Sequence, residues 1–345
     1  MRNIKFDTVT KTFECDNGIE IKFNLPMEGA DVESINFDEY KVELLINPLL
    51  DKEINAFALC KKTDKGRDKI GAVFNKDALN STQKFKPYIA ECILVAFKDC
   101  LEKQELQSED DELSSFYEDN VSICVINKKR AGSDNPLHLC IHSLREYGYS
   151  YFEEDNKFKA PKGYDASLYI KPNQTNINVE FIEPKLYSNG IVDTIIRHLP
   201  YANNIAYRFI LLYQIIELLM ENAGYQLIKD SAEKYISKKI STNDFTETVK
   251  SVNVEREKIA KMFDMCKVSA EHGCSFCSEC RNLFRVSGCD PDKSSCLPDV
   301  FYSFRNLLTH SYRKVHAYPR ELALVIQRFE LVVLDIVKTY PNIVE

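Results

Sequence analysis

Phe304-Arg305-Asn306-Leu307-Leu308-Thr309-His310, written F-R-N-L-L-T-H, decides how the C-terminal part of this chain is read. It sets an arginine, an adjacent amide and a histidine within six residues of a strongly helical region. On a helix Asn306 and His310 are four apart and share a face. Arg305 projects about 100° round from Asn306, and its long side chain reaches back toward the same pole. A cation, an amide and an imidazole that titrates near neutrality are the parts that phosphodiester chemistry needs: charge to hold the phosphate and a carrier for the proton. The plainer possibility is that Arg305 pairs with a carboxylate and His310 caps a helix end.

Outward from this stretch, three- and four-residue apolar steps continue on both sides. Ile205, Phe209, Leu212, Ile215, Ile216 and Leu219 form one stripe, with Gly224 as the expected stop. Phe245 to Phe263 is expected as a second helix and Asp299 to Tyr312 as a third, with Pro298 at its start. Leu322, Val325, Ile326, Phe329, Val332, Val333 and Ile336 mark a last helix over Arg320 to Tyr340. Four such elements can pack as an antiparallel bundle.

Before Asn189-Gly190 the pattern is different. Alternating runs predict strands at Ile4–Phe13, Gly18–Leu25, Tyr40–Ile46, Ala56–Lys61, Val121–Ile126, Ser167–Ile170 and Asn176–Ile182. Asp16-Asn17-Gly18 is a hairpin turn signal. A helix is expected over Lys86–Gln104, an acidic solvated stretch over Ser108–Glu118, and a loop over Arg130–Pro136. No phosphate-cradling glycine loop is seen. The expected fold class is therefore α+β: a mixed, β-rich N-terminal domain over 1–188, then a helical domain over 189–345.

Twelve cysteines without an export signal argue against a disulfide framework. Cys15, Cys60, Cys92, Cys100, Cys124 and Cys140 are scattered and read as small buried hydrophobes. The rest crowd into about 266–297: Cys266, Cys274, Cys277, Cys280, Cys289 and Cys296. Cys277-Ser-Glu-Cys280, or Cys274-Ser-Phe-Cys277, is a metal knuckle by spacing, and Cys289 and Cys296 can return to the same ion. A structural Zn²⁺ in an insertion ahead of the Arg305 helix is the expectation, although the six-residue gap of the second pair departs from the usual knuckle. Reduced thiols or a redox-regulated loop are the alternative. Cys140 and His142 have the residue types of a Cys/His hydrolase but no positioned third group.

Net charge is −7, against a general nucleic-acid coat but not against a localised patch. Arg305 to Arg320 supplies one candidate: Arg313 and Lys314 lie between His310 and His316, with no acidic residue in the stretch. The longest apolar run, Phe209 to Met220, is interrupted by Gln214 and Glu217 and is too short for a bilayer span. The N-terminus lacks the apolar core of a signal peptide, so no membrane and a cytoplasmic location are expected.

Arginine, a polar residue and a histidine after a short spacer, late in an all-α region from about Gly190 onward, resemble the signature of HEPN-domain ribonucleases. Among these the two-part layout is most similar to ApeA-like, abortive-infection proteins. The resemblance implies metal-independent endoribonuclease activity on RNA, with tRNA among the candidates, by attack of the ribose 2′-hydroxyl. Carried onto this chain, His310 moves a proton or orients the phosphate, Arg305 stabilises transition-state charge, and Asn306 orients one or the other. Tyr312 and Arg313, just past His310, are candidates for touching RNA. The resemblance also implies a homodimer with a composite site, and an N-terminal domain that senses a phage-derived trigger. The competing class is a catalytically silent helical dimer scaffold whose zinc module binds nucleic acid or protein.

Overall fold

The computed structural model describes residues 4–15, 18–29, 32–47, 55–63, 66–104, 112–153, 165–172, 175–182, 191–202, 204–289 and 296–340. The chain divides into two units, Met1–Asp155 with Tyr169–Phe181, and Asn156–Leu168 with Ile182–Glu345. The expected boundary at 188/189 lies outside the described residues. A β-rich N-terminal unit followed by a helical one makes the chain α+β.

The N-terminal unit holds two sheets. Strands β1 (Lys5–Asp7), β2 (Thr12–Glu14) and β3 (Glu20–Lys22) form an antiparallel meander. Asp16 and Asn17 of the expected hairpin turn lie outside the described residues, but the turn is closed by the Cys15 N–H donating to Ile19 O at 2.9 Å. The larger sheet contains β4 (Tyr40–Ile46), β5 (Ala56–Thr63), β6 (Gly66–Asn75), β7 (Val121–Asn127), β8 (Ser150–Tyr151) and β9 (Asn176–Val179), in the order β8-β4-β7-β6-β5-β9. Its pairs are antiparallel except β5 with β9. Helix α1 (Pro87–Lys103) lays Ile89, Cys92, Ile93, Ala96 and Cys100 on this sheet, all buried. Phe97 meets the rings of Phe13 and Phe23 at 5.3 and 5.0 Å, which locks the meander onto the helix.

Three expectations from the first part of the sequence are corrected. Gly66–Asn75 is a ten-residue central strand that the sequence pattern did not announce. Its Gly71 is required by packing: a Cβ there would sit 2.1 Å from Val125 O on β7. The expected loop over Arg130–Pro136 instead contains the end of a helical turn, α2 (Lys128–Ala131), and Pro136 opens α3 (Pro136–Glu146). The run expected as a strand at Ser167–Ile170 starts inside a 3₁₀ turn, Ala166–Leu168, which belongs to the C-terminal unit.

The C-terminal unit consists of α4 (Ile191–His198), α5 (Ile205–Ile236), α6 (Thr242–Ser251), α7 (Glu255–Met265), α8 (Ala270–Val286), α9 (Leu297–His310), α10 (Tyr312–Val315) and α11 (Pro319–Thr339). Asn204 caps α5 by accepting from the N–H groups of Ala206 and Tyr207. Gly224 does not stop that helix; its missing side chain leaves room for Val252, whose Cγ1 would lie 3.0 Å from a Cβ. The helix expected at Phe245–Phe263 is broken in two, because the chain turns after Val252 and is extended at Val254 before α7 begins.

The largest correction is the cysteine-rich stretch. Over Ala270–Val286 it forms α8, a helix of the core, with Cys266, Cys289 and Cys296 outside that helix and 290–295 outside the described residues. Phe276, Cys280 and Leu283 are completely buried, with Cys277 and Phe284 nearly so. Their spacing makes a helical stripe, and cysteine serves in it as a small apolar residue. The rings of Phe276, Phe301, Phe304 and Phe329 cluster at centroid distances of 5.1 to 6.1 Å. These four rings tie α8, α9 and α11 together and so fix the pose of the helix that carries Arg305. Arg208 and Glu330 form a buried ion pair at 2.9 Å, and Arg208 Nη1 also donates to Leu199 O. At the start of α8 the Ser269 N–H donates to Asp335 on α11, which also pairs with His272 at 2.8 Å. Among the described residues no helix is long and apolar enough to cross a membrane.

Candidate functional site

Helix α9 is set by its own sequence. Pro298 occupies the first turn, where its missing N–H costs nothing, and Asp299 puts negative charge at the N-terminal end. Phe301, Phe304, Leu307 and Leu308 face inward. That burial turns Arg305, Asn306 and His310 toward a cleft of about 710 Å³. Arg256 from α7, Asp299 and Tyr302 from α9, and Lys314 from α10 also line it. Among the described residues of its lining, three cations, Arg256, Arg305 and Lys314, thus face one carboxylate, Asp299. Asp299 accepts from the Cys296 thiol at 2.9 Å and from Arg256 Nε at 2.8 Å, and these bonds, the thiol's first, hold it below the usual carboxylate range.

Arg305 is held on two sides. Its Nη1 donates to Asn306 Oδ1 at 3.0 Å. Its Nε lies 2.9 Å from Glu255 Oε1, but the N–H is not aligned on that oxygen, so the contact is an ion pair and not a hydrogen bond. The same Glu255 oxygen accepts from the Tyr213 hydroxyl at 2.6 Å, and the guanidinium lies 5.8 Å from the Tyr213 ring centre. Burial first, then the Glu255 carboxylate, push the Tyr213 hydroxyl well above its usual value, so it stays a donor. Glu217 is raised by burial and only partly relieved by Arg305, whose ion-pair partner is Glu255.

His310 is the opposite case. It is the last residue of α9, is exposed, and makes no side-chain hydrogen bond among the described residues. Asn306 and His310 share the cleft, as their spacing implies. Tyr312 and Arg313 do not line it: the Tyr312 ring stands 6.4 Å from that of His316, and Arg313 O accepts from His316 Nδ1 at 2.6 Å. Lys314 and Arg256 line it in their place. Lys314 belongs to the basic stretch visible in the sequence, whereas Arg256 and Glu255 come from a helix with no local signal.

Cys274 and Cys296 both lie close enough to Cys277 to act on its thiol. Cys274, Cys277 and Cys280 lie on successive turns of α8, not in a knuckle, and a helix turns them progressively apart. Cys280 is fully buried and its thiol is pushed far up by that burial. Cys289 lines the cleft and Cys296 is turned to Asp299. Among the described residues no group of three or more His, Cys, Asp or Glu is placed to hold a metal ion. Cys140 and His142 are both completely buried on α3, and burial pushes the Cys140 thiol up to about 12, unsuited to a nucleophile.

No protein-family model, curated protein or solved structure matches this chain.

Proposed function

We propose that the chain is a metal-independent, HEPN-type endoribonuclease acting as a homodimer. The observation that supports this best is the cleft that joins Arg305, Asn306 and His310 with Lys314 and Arg256. In the proposed reaction a base takes the proton of a ribose 2′-hydroxyl. Its oxygen bonds to the adjacent phosphorus, the P–O5′ bond breaks, and the leaving oxygen is protonated. The products are a 2′,3′-cyclic phosphate and a 5′-hydroxyl. Arg305 and Lys314 stabilise the negative charge on the phosphorane-like transition state. Exposed His310 exchanges the proton. A base and an acid act on opposite oxygens, and among the described residues His310 is the one histidine lining the cleft. A second copy of the chain is therefore proposed to supply the second imidazole. Regulation by the N-terminal unit, in defence against phage and through a phage-derived trigger, is a further part of the proposal and rests on the two-part layout.

One observation favours a second reading. Glu255 already neutralises Arg305, as it would in a silent scaffold that binds a partner through its helical unit. The two readings separate at His310, which makes no bond that the fold needs. Purified wild type and His310→Ala are incubated with total RNA and tRNA without added divalent metal, and product ends are mapped. Cleavage by wild type to cyclic-phosphate ends, reduced about 100-fold or more in the variant, is the expected result. Equal cleavage by both proteins, or cleavage to other ends, would sink the ribonuclease reading.

A further inference from the structure

Three basic stretches far apart in sequence meet at one end of the large sheet in the N-terminal unit. The β5–β6 hairpin brings Lys62 opposite Arg67 and Cys60 opposite Lys69. Lys86 stands at the N-cap of α1, and Arg130 lies on α2, which follows β7. Beyond Gly71, paired with Ile126, the Arg67 end of β6 runs past the end of β7, so this end of the hairpin projects as an edge. Arg130 Nη1 donates to Lys69 O at 3.3 Å. Lys69 and Arg130 both lie over the buried Tyr88 ring, at 5.9 and 5.0 Å from its centre. Lys86 reaches across to Thr175 beside β9, with Nζ donating to Oγ1 at 2.8 Å. The buried Cys60 thiol is raised by burial, while Lys69, Arg67 and Lys86 all pull it down, which places three of the cations around one point.

Among the described residues the neighbouring carboxylates offset these cations only in part. Strand alternation turns Asp68 to the face opposite Arg67. Glu39 pairs with Lys129 and Glu28 with Lys84. Glu91 acts on Tyr88 and Cys92 in the sense opposite to Arg130, so it offsets part of that one cation. Lys62, Arg67, Lys69, Lys86 and Arg130 are all exposed. Five exposed cations repel one another, and on a chain of net charge −7 such a concentration is local. Tyr88 is buried under its cations and offers no free ring face for a base.

We infer that this end of the sheet binds the phosphodiester backbone of RNA, without reading bases. A chain of phosphates is the anion that engages cations spread along an edge, and lysine and arginine tips without exposed aromatics contact backbone but not sequence. The inference does not depend on cleavage, because it concerns binding alone.

The test uses the full-length chain and a labelled 20-nucleotide 2′-O-methyl RNA, which has no free 2′-hydroxyl to attack. Anisotropy is followed from low to moderate salt for wild type, K62A/R67A/K69A, K86A/R130A and the cleft variant R256A/K314A. Each patch variant is expected to weaken binding about tenfold and to flatten the log–log salt dependence by about 0.7 for every phosphate it no longer neutralises. DNA of the same sequence should lose affinity in parallel, since backbone is what is held. Thermal melts guard against unfolding, and the two patch variants disturb different elements. No binding by wild type overturns the inference. So does a loss confined to R256A/K314A, or patch variants that fold and bind as wild type does. Binding that survives while His310→Ala and wild type cleave equally would leave this site standing and remove the nuclease.

Discussion

Helices α8 and α9 stand side by side in the C-terminal unit, and each carries a run of residues that looks chemical in sequence. They turn out differently. In α8 the suggestive residues, Cys277 and Cys280, point into the core beside Phe276. In α9 the core positions are taken by Phe301, Phe304, Leu307 and Leu308, which leaves Arg305, Asn306 and His310 for the cleft. Residue type and spacing are alike in suggestiveness. What separates the two helices is which face the large apolar side chains claim.

The largest effect that follows is on stability. Phe276→Ala removes a ring packed against Phe301, Phe304 and Phe329, and is expected to cost about 3–5 kcal/mol in urea unfolding. A cost under about 1 kcal/mol would mean that α8 is the peripheral insertion its cysteines suggest, and the comparison would fail.

Next is a contrast within α9. Arg305→Ala leaves Glu255 and Tyr213 without their cation, so it should cost about 1–2 kcal/mol, moderated because the pair is partly solvated. His310→Ala should stay within about 0.5 kcal/mol of wild type, since its ring is exposed. Loss of RNA cleavage in His310→Ala at full stability is therefore the informative result. The same loss in Arg305→Ala mixes chemistry with folding. Glu255→Gln sharpens the contrast: it frees the guanidinium while keeping an acceptor for Tyr213. If His310→Ala unfolds as readily as Arg305→Ala, the two ends of α9 are not different in kind.

How much of this is legible in the sequence follows the same rule. β4 appears over Tyr40–Ile46 as expected, because Tyr40, Val42 and Leu44 alternate with Lys41 and Glu43 in the sequence. The last helix is legible because Leu322, Val325, Ile326 and Phe329 leave no other period. β6 is not, since its first half is charged and its second half is a continuous apolar run, as suits a central strand buried on both faces. In α8, Phe276, Cys277, Cys280, Leu283 and Phe284 form a helical stripe in the sequence itself. Crowded cysteines hide it, because their spacing suggests ligands more readily than small apolar groups. Arg305, Asn306 and His310 are visible as a local pattern. Glu255 is not, because a partner 50 residues away on another helix leaves no trace in local periodicity.

The smallest and most selective effect is on the thiols, and it sets the zinc expectation against the helix directly. With a chromogenic disulfide under native conditions, Cys274 and Cys296, both exposed, should react first. Cys277 should lag, and Cys280 should react only as the chain unfolds, because burial both shields its sulfur and keeps it protonated. Chelator should leave the melting temperature and the reaction order unchanged, because α8 is held by its aromatic face. A chain purified with one zinc per copy, in which chelator exposes Cys280 and melts α8, would reverse that assignment. The stripe of Phe276 and Leu283 would then be insufficient to hold the helix, and the sulfurs of α8 would belong with the functional residues of α9 and not with the core.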